Sequence, residues 1–488
     1  MGTATAELDI RRESLIAAAA NVVLIAVQLA TLGLLTRTLG ADGVGTYFFA
    51  LSAAILAIIP SRELGEIMRK RVSEIDSPSH EFFGLAQAGT VLYLLVCVPV
   101  LSLATPVVTA WTPLTGETVL AFGVYAAVLT QSEMATRLLD AVGKPGASMV
   151  SQTVRETVFF GGVLALVWLG GASPQTVLLL GAGVRLSVAL GTYWVVGLVP
   201  RLPSRDSLAS AVAFGKWSVP TGIASHVWGQ APTLLLGVVL GGSSVAVYET
   251  AKRVTMIGAY LATCITDPLL VKVSAMHSAG EDVLSHVELA LDYTPSVALL
   301  TLFLVAPIAP EIMSLAAGSA YATGGVVLVG VALTRVLWGL KRPVSAALLG
   351  VGQPRYVFGL FAGLLTVGGP AIVLGATYGG VAGVVFVLVV LELGGVLLVQ
   401  GVARLVFGRF VRPTTLSRQL VIAATAGAFV WLASHSLDLT SPSTLAAVLA
   451  GAVVLHYGLF ALASDRFRAG SARTVRELGQ ALATVTPG

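Results

Sequence analysis

Three charged residues on one short apolar stretch carry the chemistry this chain offers. Leu240–Arg253 reads LGGSSVAVYETAKR, so Glu249 stands three and four positions before Lys252 and Arg253. On a helix those spacings put the acid one turn from either base, close enough to pair. Counted from Ser244 at about 1.5 Å per residue, both cations lie roughly 12–14 Å along the helix, near the middle of a bilayer. One carboxylate between two cations leaves positive charge over. That charge can meet an anionic substrate, or the group can serve as a structural pair between helices.

The same bias extends along the chain. Arg155, Arg185, Lys252, Arg253 and Arg335 fall near the middle of apolar stretches, against Glu156, Glu249 and Glu392. Ionisable groups inside a membrane are costly and mark function by default, and unbalanced positive charge is tolerated where something negative visits. Arginine holds phosphate through paired donors, so the candidate anion ligands are Lys252, Arg253, Arg335, Arg185, Arg155 and, at the outer end of the first span, Arg37. Arg37 also suits snorkelling to headgroups. Arg155 and Glu156 are adjacent and point in different directions on a helix, so they need not pair. Glu392, alone in its segment, either meets a cation on a neighbouring helix or is protonated. Glu133 with Arg137 (i,i+4) reads as structural. Glu249, Glu392 and Glu133 are the candidates for charge pairing or ion coupling. Asn21 and Gln28, seven apart, and His226 and Gln230, four apart, are the polar residues that can line a wet cavity.

The elements that position these groups are transmembrane helices. The chain has 488 residues, 56% hydrophobic and 11% charged, with a mean hydropathy of +0.88. Soluble domains carry roughly 25% charged residues, so this is an integral membrane protein, polytopic and all-α. The apolar stretches predict fourteen spans, near 13–36, 44–66, 83–106, 117–139, 147–169, 176–199, 214–238, 244–271, 286–308, 324–346, 355–376, 380–403, 417–435 and 442–463. With the N-terminus in the cytoplasm, the outer loops hold one basic residue, Arg37. The inner side collects Arg69, Lys70, Arg71, Lys144, Arg201, Arg205, Lys216 and others through the Arg466–Arg476 tail, which places both termini inside. No cleavable signal is expected, since acids precede Arg11 and Arg12 and a full span follows.

A repeat organises the spans. Leu39–Tyr47 (LGADGVGTY) matches Leu240–Tyr248 at an offset of 201 residues. Val142–Pro145 (VGKP) matches Val351–Pro354 (VGQP) at 209. Two offsets near 200 point to a duplication, and an even number of intervening spans makes the repeats parallel. The reading is an N-terminal lobe of spans 1–6 (10–200), a cytoplasmic polar loop at 201–216 acting as hinge, a C-terminal lobe of spans 7–12 (213–405), two extra helices (406–465) and a cytoplasmic tail (466–488).

Several classes drop out. There is no HExxH, Walker loop or GxSxG elbow, so no enzyme, cofactor or metal site is expected. Cys97 and Cys264 lie in apolar segments and suggest neither disulfide nor thiolate ligand. The net charge of +4 is scattered at helix ends, without the basic stripe that nucleic acid requires.

The turn LLTRTLGADGVGTYFFALSAAILAI (34–58), the basic helix end IMRKRVSE (67–74) and the second-repeat counterpart PTLLLGVVLGGSSVAVYETAKRV (232–254) together resemble the polysaccharide-biosynthesis, or oligosaccharide flippase, family of the multidrug/oligosaccharidyl-lipid/polysaccharide exporter superfamily. The resemblance implies a two-lobe, alternating-access transporter that moves a lipid-linked sugar phosphate or diphosphate across the membrane, with its head in a cationic cavity and its tail among membrane lipids, and with H+ or Na+ as possible coupling ion. It departs at one point: members often carry an Asp before the apolar run of the seventh span, where this chain has Ala231, Pro232 and Thr233. Arginine-rich, lysine-poor usage suits a prokaryotic cytoplasmic membrane. A cation-coupled drug exporter of the same superfamily, which wants acids in its cavity, and a non-transporting scaffold, in which every buried charge is paired, are the alternatives.

Overall fold

A computed structural model describes residues 10–74, 77–439 and 441–463, with side chains from residue 19 onward apart from 217, 259–261 and 264. The Arg466–Arg476 tail and the N-terminal arginines lie outside these described side chains. Among the described residues the regular elements are all helical. They are α1 (Ile10–Ala57), α2 (Ile59–Val72), α3 (Ser79–Trp111), α4 (Gly116–Ala141), α5 (Pro145–Trp168), α6 (Pro174–Val196), α7 (Arg205–Leu240), α8 (Gly242–Val254), α9 (Met256–Ser278), α10 (Leu284–Val305), α11 (Ala309–Ala317), α12 (Gly325–Gly350), α13 (Pro354–Phe407), α14 (Leu416–Ser436) and α15 (Pro442–Ala463), with two short 3-10 turns flanking α11.

Nine helical stretches among the described residues are long and apolar enough to cross a membrane. One of them, α13, contains two of the spans read from sequence, merged across a kink at Gly380; α1 joins the first span to the start of the second across a kink at Gly40, and the second continues in α2. The charge-bearing α4, α5 and the α8–α9 pair fall outside the nine, yet coincide with expected spans. Beyond Thr90 the apolar stretch of α3 has no buried residue, with Leu92, Leu95 and Leu103 exposed, as suits a helix bathed in hydrocarbon. This is a multi-pass membrane protein.

The duplicated motifs share backbone geometry. Gly40 has φ 68° and ψ 179°; its counterpart Gly241 has φ 87° and ψ −175°. An L side chain is strained at such positive φ, which is why glycine stands in both places. The second motif repeats as closely. Val142 and Val351 both have φ −85°, Gly143 and Gly352 have φ 77° and 74°, and Pro145 and Pro354 open α5 and α13, where proline's missing N–H costs nothing.

The chain divides into two compact units, Met1–Glu249 with Phe361–Val384, and Thr250–Leu360 with Val385–Gly488. In the first, α1 packs on α5 and α7, α4 on α6, and α2 on α3, α4 and α7. Met68, Phe83, Ala86, Met134 and Leu138 form a core between α2, α3 and α4. In the second, α10 and α12 pack together, α9 on both, α14 on α10 and α15 on α14. Asp292 of α10 anchors α14: its carboxylate accepts from the backbone N–H groups of Thr414 (2.6 Å) and Thr415 (2.9 Å) and from the Thr414 hydroxyl. That satisfies donors at a helix start from another helix.

The polar loop expected at 201–216 is mostly helix. Ser204 caps α7 by accepting from the Ser207 N–H, and helix runs unbroken from Arg205. The connection is also tied down. Glu81 accepts from the Ser204 N–H (2.9 Å) and the Ser207 hydroxyl (2.7 Å), and Arg71 donates to the Ser210 carbonyl (2.9 Å). A capped amphipathic stretch won over a polarity-based loop reading.

Within the first unit the two glycine turns touch. A Cβ on Gly45 would lie 1.7 Å from the Gly242 carbonyl oxygen, so backbone meets backbone. Asp42 Oδ1 accepts from the Ser243 N–H at 3.0 Å, a negative cap on the start of α8; Asp42 and Ser243 are themselves equivalent positions, 201 apart. Gly45→Val should therefore cost about 1–3 kcal/mol, as overpacking does, and lower the thermal unfolding midpoint of detergent-purified protein.

Candidate functional site

Lys252 and Arg253, both half-buried, occupy the last turn of α8. The helix stops at Thr255, whose hydroxyl folds back on the Ala251 carbonyl (2.9 Å), before α9 begins. Cations at a helix C-terminus are favoured by the carbonyl dipoles, so this break helps hold two bases in an apolar segment. Glu249, one turn earlier, is buried and accepts a 2.6 Å hydrogen bond from the Thr233 hydroxyl of α7. Thr233 lies in the 231–233 stretch where the family resemblance leads to the expectation of an Asp, and here it binds a carboxylate from α8 instead.

The first unit contains a denser network. Glu156 Oε1 lies 3.3 Å from Arg155 Nε and 3.3 Å from Arg185 Nη2, which corrects the expectation that Arg155 and Glu156 need not pair. Both side chains are long enough to curve together, and Arg185 of α6 holds the carboxylate from the far side. Arg155 also donates to Ser132 Oγ (3.2 Å), and the Arg185 guanidinium lies 5.5 Å from the centre of the Tyr125 ring, within cation–π range. On α4, Glu133 is 3.9 Å from Arg62 and 4.0 Å from Arg137, and Arg137 is 2.8 Å from Glu66 of α2. Glu63 is buried at 5% exposure; its Oε1 lies 3.8 Å from His226 Nε2 on α7.

In the second unit Glu392 pairs with Lys341 at 2.5 Å, which decides between the two states left open for it in favour of a cationic partner. Both side chains are buried, Lys341 at 3%. Next to it, Arg342 donates to Thr266 Oγ1 and Asp267 Oδ1, each at 2.9 Å, and covers the Trp338 ring. Arg335, one face along α12, is half-buried, and among the described residues its Nε has no hydrogen-bond partner.

The remaining candidates are dispersed. Arg37 is exposed beside the Gly40 kink and donates to the carbonyl of Gly33 (2.9 Å). Asn21 has a buried Oδ1 without a hydrogen-bond partner among the described residues, while Gln28 and Gln230 are half-buried. Sequence reasoning passed over Arg62, Glu63, Glu66 and Lys341. The signal was there, since all four fall inside the predicted spans 44–66 and 324–346; Lys341 was counted only among the cytoplasmic basic residues. Among the described residues no group of His, Cys, Asp and Glu is arranged to hold a metal.

This helical framework has solved counterparts. The lipid II flippase MurJ, in its inward closed conformation, superposes with a TM-score of 0.70 at 12% identity, over 92% of this chain and 98% of its own. An inward-facing multidrug resistance MATE family transporter of the MOP superfamily gives 0.63 at 15%, over 79% and 94%. The chain therefore has the fold of MOP-superfamily transporters. In sequence, the probable low-salt glycan biosynthesis flippase Agl15 of Haloferax volcanii is 25% identical over 354 residues, 71% of this chain and 73% of the relative. Residues 10–272 match the polysaccharide biosynthesis protein family, and the chain belongs to it.

The Lys341–Glu392 pair can be tested for a structural role. Lys341→Met alone strands a buried carboxylate and should cost about 3–5 kcal/mol, whereas Lys341→Met with Glu392→Leu should restore stability, as replacing a whole buried pair often does. Thermal unfolding of the two variants beside the parent reads this out.

Proposed function

We propose that this chain is a flippase that moves a lipid-linked sugar or oligosaccharide, carried on a polyprenyl or dolichyl phosphate or diphosphate, across a prokaryotic cytoplasmic membrane for glycan assembly. The observation that carries this reading is the charge excess inside the helices. Arg62, Arg137 and Lys341 join the cations counted from sequence, and Glu63, Glu66, Glu133 and the buried Asp292 join the anions, so an excess of one cation stands. A buried excess of positive charge is stabilised when an anionic headgroup arrives. Kinship with a glycan-biosynthesis flippase and membership of the polysaccharide biosynthesis family support the same substrate class over an organic cation.

In this reading the cytoplasm-open protein binds the phosphorylated head through Lys252, Arg253 and Arg335. Two six-helix lobes then rock, and the head is released outside while the tail stays in lipid. Arg335 can offer its Nε to a phosphate oxygen, since among the described residues that atom has no hydrogen-bond partner. The basic residues put the Asp42–Ser243 contact on the outer side, where it must part for release. Both termini then lie in the cytoplasm, and the lipid-linked sugar, a coupling ion and membrane lipids are the partners.

Binding of a synthetic polyprenyl-diphosphate sugar to purified protein in nanodiscs tests the assignment. Saturable binding is expected, weakened about 10- to 100-fold in Lys252→Ala/Arg253→Ala, the range that charged hydrogen bonds contribute. An organic cation bound in its place would point to drug export, and loss of neither affinity nor transport in the double variant would remove these two residues from the site.

A further inference from the structure

Glu63 and His226 form a contact that the anion-binding reading does not use. Glu63 sits on α2, in the first repeat; His226 sits on α7, which opens the second. The two helices pack together within the first unit. The carboxylate lies against the surface of α7 at Gly222: a Cβ there would fall 2.2 Å from Glu63 Oε1. One turn further on, His226 Nε2 is 3.8 Å from the same oxygen. Only a residue without a side chain at 222 lets the carboxyl come this close.

The surroundings make the contact sensitive to a single charge. On α2, Arg62 and Glu66 flank Glu63, and α4 presents Glu133 and Arg137. From α3 come Thr90, hydrogen-bonded to Ser61, and Tyr93, whose hydroxyl donates to the Ala57 carbonyl. The only described charges on α1, Arg37 and Asp42, sit at its Gly40 kink. Around the pair, Arg62, Arg69 and Arg137 are bridged by Glu66 and Glu133, and Arg155 and Arg185 share Glu156. One proton on the Glu63–His226 pair, whichever residue takes it, makes this network more positive by one charge. Imidazole is the side chain that changes charge near neutral pH, and two groups this close titrate as a pair. Pro220 and Pro232 bracket this part of α7; each lacks the N–H of a regular helix, which leaves the segment between them easier to bend.

We infer that Glu63 and His226 form a proton-binding site joining α2 to α7, and that a proton taken up there binds together with the anionic substrate. An anion arriving near the arginines favours the protonated, positive network; by linkage, the proton favours the anion equally. The proton moves from water to the pair and leaves when the anion does. Its location rests on the contact alone, while its coupling role rests on the flippase reading above.

Two measurements on the full-length protein in nanodiscs separate these. In the first, without ligand, histidines carry a 13C label, and the His226 signal is assigned by its disappearance in His226→Gln. It is expected to titrate, with a midpoint that moves by about one pH unit or more, a tenfold change in proton affinity, in Glu63→Gln. Gly222→Ala should also move it, because the added methyl displaces the carboxyl while leaving every titratable group in place. A midpoint unchanged in both variants overturns the site. In the second, a synthetic polyprenyl-diphosphate sugar is added in weak buffer containing a pH indicator. Uptake approaching one proton per lipid bound is expected, lost in His226→Gln although that variant still binds. Binding without proton uptake, or uptake that persists in His226→Gln, overturns the coupling. If the lipid does not bind the parent protein, the flippase reading fails and the first measurement alone decides the proton site.

Discussion

The contact on which the arrangement of the first unit turns is backbone against backbone, where Gly45 meets Gly242 and Asp42 caps the start of α8 at Ser243. It brings together equivalent turns of the two repeats, each bent by a glycine at positive φ. In hydrocarbon, helices gain little from burying apolar surface against one another, so close approach and hydrogen bonds must hold them. Small residues at the turn supply the approach, and one carboxylate supplies the bond. The position of α7 against α1 and α2, and with it the meeting of His226 and Glu63, follows from how these turns are joined.

A second constraint is the cost of charge away from water. The protein meets it by placing acids between bases: Glu156 between two arginines, Glu133 likewise, and Lys341 on Glu392. Pairing at this density is what a static scaffold would also need. The distinguishing feature is what it leaves over, an excess of one cation inside the helices, with Arg335 one of several arginines whose Nε has no hydrogen-bond partner among the described residues. A membrane protein keeps such groups when a ligand completes them. The same logic gives the break at Thr255 a use, since it presents a helix end beside Lys252 and Arg253.

Much of this was legible in residue order. Hydropathy alone gave the class, because roughly 20 apolar residues in a row have no other stable home. The repeat was legible too: glycines at matched offsets allow the same positive φ in both turns, as Gly143 and Gly352 do. The loop at 201–216 misled because polarity was read without the Ser204 cap and the Glu81 clamp, which lie about 120 residues apart in sequence. Arg155 and Glu156 misled because a projection of side chains around one helix ignores their length and the neighbour, Arg185, that gathers them.

What the sequence determined by itself was therefore local and periodic: helices, the duplication and the sign of the charge excess. These depend on neighbours along the chain, and the chain order contains them. Which charges meet was decided only in three dimensions. Lys341 and Glu392 are 51 residues apart, and Glu63 and His226 lie on different repeats. No spacing rule links such positions, because their meeting depends on how whole helices pack. Packing in turn rests on a few close contacts, such as the notch at Gly222, whose meaning appears only when the facing side chain is in place.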